Sequence, residues 1–175
     1  MSSAPHIAPF AGLSARDVFD LLQLRAEAFV VEQNCVYLDP DGRDVHPGTL
    51  HLLVRGPGER LDGYLRILAP DLPGAAAPGG HQGQASEGEV LIGRVVVHTE
   101  ARRRGLAQRM MEAALERIQA DWPGRPMALH AQVYLQEFYR RHGFETCSEP
   151  YLLDGLAHID MRRPAGAGEA SAPPV

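Results

Sequence analysis

The stretch "VLIGRVVVHTEARRRGLAQRMMEAALERIQA", Val90 to Ala120, decides how the chain is read. Its first eight residues, 90–97, are rich in branched apolar side chains, the signature of a strand. Leu106, Met110, Ala114 and Ile118 then fall on one helical stripe, widened by Met111 and Leu115, which predicts a helix to about Asp121. Between them lies Arg102-Arg103-Arg104-Gly105-Leu106-Ala107. Three adjacent arginines suit a nucleic-acid patch. A glycine and a small residue two apart, opening a helix after a strand, suit a phosphate cradle. The first turn of a helix has N–H groups without intrahelical partners, at the positive end of the macrodipole, where a phosphate binds well. Gly105 lets the backbone approach a ligand with no Cβ in the way, and Ala107 keeps the next approach clear. Arginine side chains can hold the outer oxygens. Taken alone, the stretch fits a solvated strand–loop–helix corner equally well. It has too few glycines for a dinucleotide-binding fingerprint and lacks the Gly-Lys-Ser/Thr of a P-loop.

The totals narrow the choice. The chain has 175 residues, enough for one domain with a real core, and is 45% hydrophobic and 22% charged. Its net charge of −5 argues against a dedicated nucleic-acid binder, which usually carries a basic surplus. Two cysteines, Cys35 and Cys147, are too few for a disulfide framework, so the chain reads as reduced and cytoplasmic. The opening "MSSAPHIAPF" lacks the pattern of a signal peptide. No apolar run approaches the roughly 20 residues that span a bilayer, so no membrane is expected as a partner.

Outward from the deciding stretch, Ser14 and Asp17 form a capping-box-like start to an amphipathic helix over 15–29. An irregular segment follows. Strands are predicted at 50–54 and 61–68, joined at "GPGE". Residues 69–89, dominated by Gly, Ala and Pro, read as a flexible insertion loop, and 164–175 as a disordered tail, leaving one domain over 1–163. Beyond the long helix come a strand at 127–131, a helix over "YLQEFYRRH" with Gly143 at its C-terminal cap, and two strands around Asp154–Gly155. A short first strand is placed near His6–Phe10. The order predicts a mixed α/β sheet layered with helices. "DPDGRD" (39–44) lacks the glycine and glutamate of a calcium loop and reads as an Asx-type turn. The eight histidines form no metal-binding spacing, so no metal is expected. Cys35 fits a small buried thiol better than a nucleophile.

Two motifs now carry a family resemblance. "VVVHTEARRRGLAQRMMEAAL" resembles the acyl-CoA-binding motif of the GNAT superfamily of N-acetyltransferases, Arg/Gln-x-x-Gly-x-Gly/Ala, through Arg102, Gly105 and Ala107. "QVYLQEFYRRHGF" is similar to the pattern Asn-x6-Tyr-x3-Gly-Phe through Tyr139, Gly143 and Phe144, with Gln132 in place of Asn. Together they are far more specific than either alone. "LLQLRAEAFVVEQNCVYLDPDGRD", "IGRVVV" and "DGLAHIDM" extend the resemblance to the ElaA-like branch, over roughly Phe19 to Arg162.

The resemblance implies an α/β (α+β) fold: a mixed, mostly antiparallel sheet with central splayed strands and helices on both faces. It implies acetyl-CoA as cosubstrate. Backbone groups of Val95 and Val97 would hold the pantetheine and acetyl carbonyl. Backbone N–H groups of Arg103, Arg104, Gly105, Leu106, Ala107 and Gln108 would hold the pyrophosphate, with Arg102 at the motif position and Gln132 alongside. An amine, on a small molecule or peptide, would attack the thioester directly. A base must first take its proton. Tyr139 would protonate the leaving sulfur; Glu32 is the candidate base or acceptor contact, and its alternative is a salt bridge. Gln33, His51, Arg94 and His158 are candidates for the acceptor pocket. Arg94, inside an apolar strand, either enters the site or pairs with a buried acid. Family members often dimerise, which leaves a homodimer open. A non-catalytic acetyl-CoA sensor is the main rival reading, and Tyr139 favours the enzyme. Nucleic-acid binding is further disfavoured by the low aromatic content, 6%.

Overall fold

In the computed structural model, residues 3–70, 72 and 88–166 are described. Most of the expected 69–89 loop and 164–175 tail therefore lies outside the described residues.

Ser14 opens helix α1 (Ala15–Arg25). Its Oγ accepts the Asp17 N–H at 3.1 Å, and Asp17 Oδ2 accepts the Ser14 N–H at 3.0 Å, satisfying two donors that a helix start leaves over. The helix does not continue regularly to 29. It widens into a π-helical turn over Ala26–Glu32, with the Gln33 N–H reaching the Ala28 carbonyl at 3.1 Å. Such turns re-aim the side chains they carry. Phe29, within this one, and Gln33, just after it, both line the cleft described below.

The strands are β1 (His6–Pro9), β2 (Thr49–Arg55), β3 (Leu61–Leu68), β4 (Val90–Val97), β5 (Met127–Gln132), β6 (Glu145–Thr146), β7 (Tyr151–Leu153) and β8 (Leu156–Arg163). They form one sheet in the order β1-β2-β3-β4-β5-β8-β6, with β7 also on β8. β4 and β5 run parallel; the other pairings are antiparallel. The strand expected just before Asp154–Gly155 is in fact two pieces, β6 and β7. Pro150 cannot donate to a ladder, and Ser148 Oγ accepts the Asp160 N–H at 2.9 Å.

Side-chain alternation along the strands divides the core. Leu52, Val54, Leu65, Ile67, Val90 and Ile92 meet helix α2 (Leu106–Asp121) through Leu106, Met110, Met111, Ala114 and Ile118. Leu53, Leu61, Tyr64 and Val96 face the other way, onto Leu21, Leu24 and Ala28. Helices thus cover both faces. The third predicted helix is shorter than its pattern suggests: a 3-10 turn over Val133–Leu135, then α3 (Gln136–Arg140). Gly143, at φ 82°, donates to the Arg140 carbonyl at 2.9 Å, and Phe144 donates to the Tyr139 carbonyl at 3.2 Å. This pair of bonds is the Schellman ending, which favours glycine at the left-handed position.

Two departures from regularity create the site. Arg94 has φ 54°, and the β3–β4 register shifts between Tyr64 and Arg66, so β4 carries a bulge there. β4 pairs with β5 only at Val90–Met127 and Leu91–Ala128. Beyond Leu91 the two strands separate, and the sheet is split at its centre.

Candidate active site

The split opens a cleft of about 380 Å³. One wall is β4, through Gly93, Arg94 and Val95; the other is β5, through Leu129, His130 and Gln132. Phe29, Gln33, Cys35 and Tyr37 line it from the π-helical turn and the segment after it, and Leu135 and Tyr139 from the α3 region.

Tyr139 is only 5% exposed. Its ring packs edge-on against Phe138 and Phe144 at centroid distances of 5.0 and 6.3 Å. Burial pushes the phenol well above its ordinary value, so it carries its proton at neutral pH. The protonated phenol thus borders the cleft with its ring held by packing.

Gln132 Nε2 donates to Gln33 Oε1 at 3.0 Å, joining β5 to the end of the π-helical turn. His158 also lines the cleft; its Nδ1 meets the Leu156 carbonyl at 2.9 Å and its ring stacks on Tyr151. Both alternatives for Arg94 hold at once. It lines the cleft, and its Nε lies 2.6 Å from Asp39 Oδ1. The N–H is misaligned, so this contact is an ion pair rather than a hydrogen bond.

His51 corrects an expectation. It is fully buried, with Nδ1 2.8 Å from the Tyr64 hydroxyl and Nε2 2.9 Å from the Asp44 carbonyl, and it does not line the cleft. Its strand is covered on both sides, where a histidine survives only with both ring nitrogens satisfied. Burial lowers its pKa. Glu32 is likewise not among the cleft-lining residues. It meets Arg102 in a two-bond fork, both contacts 2.6 Å, and the Arg102 hydrogen bonds hold its carboxyl below the usual range. Cys35 does border the cleft, but burial raises its thiol, as befits a packed group rather than a nucleophile.

Sequence reasoning missed the network under the mouth of the cleft. Arg25, fully buried, reaches Asp39 Oδ2 at 2.6 Å and Asp44 Oδ1 at 2.8 Å. Arg66 reaches Asp44 at 2.6 Å and Asp41 at 2.9 Å. The acidic turn at 39–44, with its Asx bond from the Arg43 N–H to Asp41 Oδ1 at 3.0 Å, is clamped to the sheet by arginines. A second missed cluster is His130, Asp160 and Tyr151. His130 Nδ1 lies 2.6 Å from Asp160 Oδ1, to which the Tyr151 hydroxyl donates at 2.5 Å. A single histidine in a short strand, 30 positions from its carboxylate, leaves no pattern in sequence. Among the described residues no group of His, Cys, Asp and Glu is arranged to hold a metal ion.

The loop after β4 fits an anionic ligand. Arg103 and Gly105 adopt left-handed φ of 62° and 73°, and α2 begins at Leu106. No side chain caps that helix and no acidic residue stands in its first turn. A Cβ built on Gly105 meets nothing within 4 Å, so the space above it is open. Arg103 and Arg104 are exposed beside it. These donors suit a pyrophosphate. Arg102 itself is turned away, its Nε on the Val97 carbonyl at 3.0 Å and its fork on Glu32. Val95 lines the cleft; Val97 does not.

The chain's relatives agree with this geometry. A family model described as an acetyltransferase (GNAT) domain matches residues 76–164. Protein ElaA of Escherichia coli K12 is 38% identical over 151 residues, 86% of this chain and 90% of that one. A crystal structure of E. coli ElaA superposes with a TM-score of 0.79 at 36% identity, covering 93% of this chain and 99% of that one. An acyl-CoA N-acyltransferase from Pseudomonas aeruginosa gives a TM-score of 0.78 at 40% identity, covering 91% and 97%. With the split sheet, the two motifs and these relatives in agreement, the chain belongs to the GNAT acetyltransferase family, in its ElaA-like branch.

Proposed function

We propose that the protein is an N-acetyltransferase that passes the acetyl group of acetyl-CoA directly to a primary amine in a ternary complex. The observation that carries this reading is Tyr139, a protonated, buried phenol bordering a cleft that opens where β4 leaves β5. The pantetheine arm lies along the free edge of β4, taking hydrogen bonds from backbone at Val95 and Val97. The N–H groups from Arg103 to Gln108 hold the pyrophosphate, helped by the α2 dipole. The amine enters from the side bordered by Gln33, Arg94, Gln132 and His158. Its lone pair attacks the thioester carbon, the C–S bond breaks, and Tyr139 protonates the departing sulfur. Calorimetry with acetyl-CoA, followed by labelled acetyl transfer to a panel of amines, tests the reading. Binding with turnover supports it. Binding without turnover of any amine, unchanged by Tyr139→Phe, indicates a sensor instead.

A further inference from the structure

We infer that His130, oriented by Asp160, is the general base that deprotonates the incoming amine; this rests on the acetyltransferase reading above. An alkylammonium has no lone pair to attack with, so a group near the acetyl carbon must take a proton first. Glu32 is occupied by Arg102 and does not line the cleft. His130 does line it. Leu129 and Ala131 are buried in the α2-side core, so strand alternation puts His130 and Gln132 on the opposite face of β5. Tyr139 belongs to that α2-side cluster. Acid and base thus stand on opposite faces of the sheet with the β4–β5 split between them. An acetyl thioester held in the split would present its carbonyl carbon to one face and its sulfur to the other.

The hydrogen bonds around His130 also suit a base. Asp160 Oδ1 accepts from the Tyr151 hydroxyl at 2.5 Å and lies 2.6 Å from His130 Nδ1. With Tyr151 donating to the carboxylate, the proton between ring and carboxylate sits on Nδ1. The tautomer that donates from Nδ1 has its lone pair on Nε2. Asp160 is 5% exposed, and its other oxygen, Oδ2, finds no partner among the described residues. A buried, incompletely satisfied carboxylate balances the charge that arrives on the ring with a proton. Asp160 lies directly across the β5–β8 ladder from His130, so the sheet itself fixes the pair. Asp160 is a positioning residue; His130 is the one that meets the substrate, directly or through one water.

The step balances. One proton passes from the ammonium to Nε2, and the nitrogen lone pair forms the N–C bond. The tetrahedral adduct collapses with cleavage of C–S, and the sulfur takes the Tyr139 proton. The second nitrogen proton leaves through water and restores Tyr139, while His130 releases its proton to solvent, so the net reaction liberates one proton.

The test compares wild type with His130→Gln and Asp160→Asn, using an alkylamine found active with wild type and, in parallel, hydroxylamine, which is largely unprotonated at neutral pH. Melting temperature and acetyl-CoA affinity are measured for each variant. The expected result is a kcat loss of about 10²–10⁴-fold for His130→Gln with the alkylamine, a smaller loss for Asp160→Asn, unchanged acetyl-CoA affinity, and near-wild-type enzymatic rates with hydroxylamine. A His130→Gln variant that keeps wild-type kcat with the alkylamine, or loses both nucleophiles equally, overturns the dyad and leaves the acetyltransferase reading standing. A wild type that binds acetyl-CoA and acetylates no amine overturns both. If Asp160→Asn does not fold, His130→Gln alone decides, since His130 is partly exposed.

Discussion

The Arg102 guanidinium meets the Glu32 carboxylate fork to fork, with Nη1–Oε1 and Nη2–Oε2 both 2.6 Å, while its Nε donates to the Val97 carbonyl at 3.0 Å. One side chain thereby ties the end of the π-helical turn, the end of β4 and the start of the proposed pyrophosphate loop. The pair is 39% and 42% exposed, so its worth to global stability is small, roughly 1 kcal/mol or less. Its worth to the shape of the loop is larger. Arg102→Ala is expected to weaken acetyl-CoA binding by about tenfold, about 1.4 kcal/mol, with little change in melting temperature. Glu32→Gln should weaken it less, and the double variant no more than Arg102→Ala alone. Calorimetric titration of the three proteins checks this; additive losses would mean that the two residues act independently.

Gly105 makes a sharper demand. At φ 73° a non-glycine residue is strained by about 1–2 kcal/mol, and any side chain enters the open space at the helix start. Gly105→Ala should lower acetyl-CoA affinity at least tenfold, and Gly105→Glu, which adds a negative charge, should abolish the thermal shift that acetyl-CoA gives wild type. An undiminished shift with Gly105→Glu would place the pyrophosphate elsewhere.

The buried arginines predict a large stability effect. Removing Arg25 takes away the fully buried cation that bridges Asp39 and Asp44, leaving Asp39 with Arg94 and Asp44 with Arg66. Arg25→Ala should cost about 3–5 kcal/mol in urea unfolding, because it removes one partner from a buried ion network and four hydrogen bonds to Asp39 and Asp44. A loss below about 1 kcal/mol would mean that water enters the site and solvates the carboxylates.

The same network sets the response to acid. Burial opposes ionisation of Asp44 and Asp41, yet hydrogen bonds and charge from Arg25, Arg43 and Arg66 hold both carboxyls below the usual range. Asp17, hydrogen-bonded by Ser14 and then Arg55, drops from 3.8 to about 2. A carboxyl whose folded value lies below its unfolded value binds fewer protons when folded, so its stabilisation is complete above the unfolded value and is lost as pH falls through the folded one. The urea midpoint should therefore decline as pH drops from about 4 towards about 2. A midpoint that is flat across that window would contradict these assignments.

What the sequence reveals and what it hides divide along physical lines. β3 at 61–68 and β4 at 90–97 coincide with runs rich in branched apolar residues, because most of their positions are buried, although Asp62, Gly63, Arg66, Gly93 and Arg94 interrupt the runs. The Ser14 cap and the Gly143 ending are local interactions, readable from a few neighbouring residues. The bulge at Arg94 depends on register with β3, and a local pattern does not carry register. His51 was expected in a pocket because a lone histidine gives no sign of its burial; only the partners Tyr64 and Asp44 disclose it. Arg25 falls on the same helical stripe as Val18, Leu21, Leu22 and Phe29, but its partners Asp39 and Asp44 lie in an irregular turn that carries no periodic signal. His130 and Asp160 become neighbours only through the β5–β8 ladder.

In the proposed reaction this cleft transfers acetyl groups with Tyr139 as the acid. Single-turnover transfer from labelled acetyl-CoA to a panel of amines, run with wild type and Tyr139→Phe, tests it most directly. The substitution keeps the ring that packs on Phe138 and Phe144 and removes only the proton donor. The expected result is labelled product with wild type and a rate about 10²–10⁴-fold lower with Tyr139→Phe at unchanged acetyl-CoA affinity. Equal rates for the two proteins, or acetyl-CoA binding with no labelled product from any amine, would contradict it.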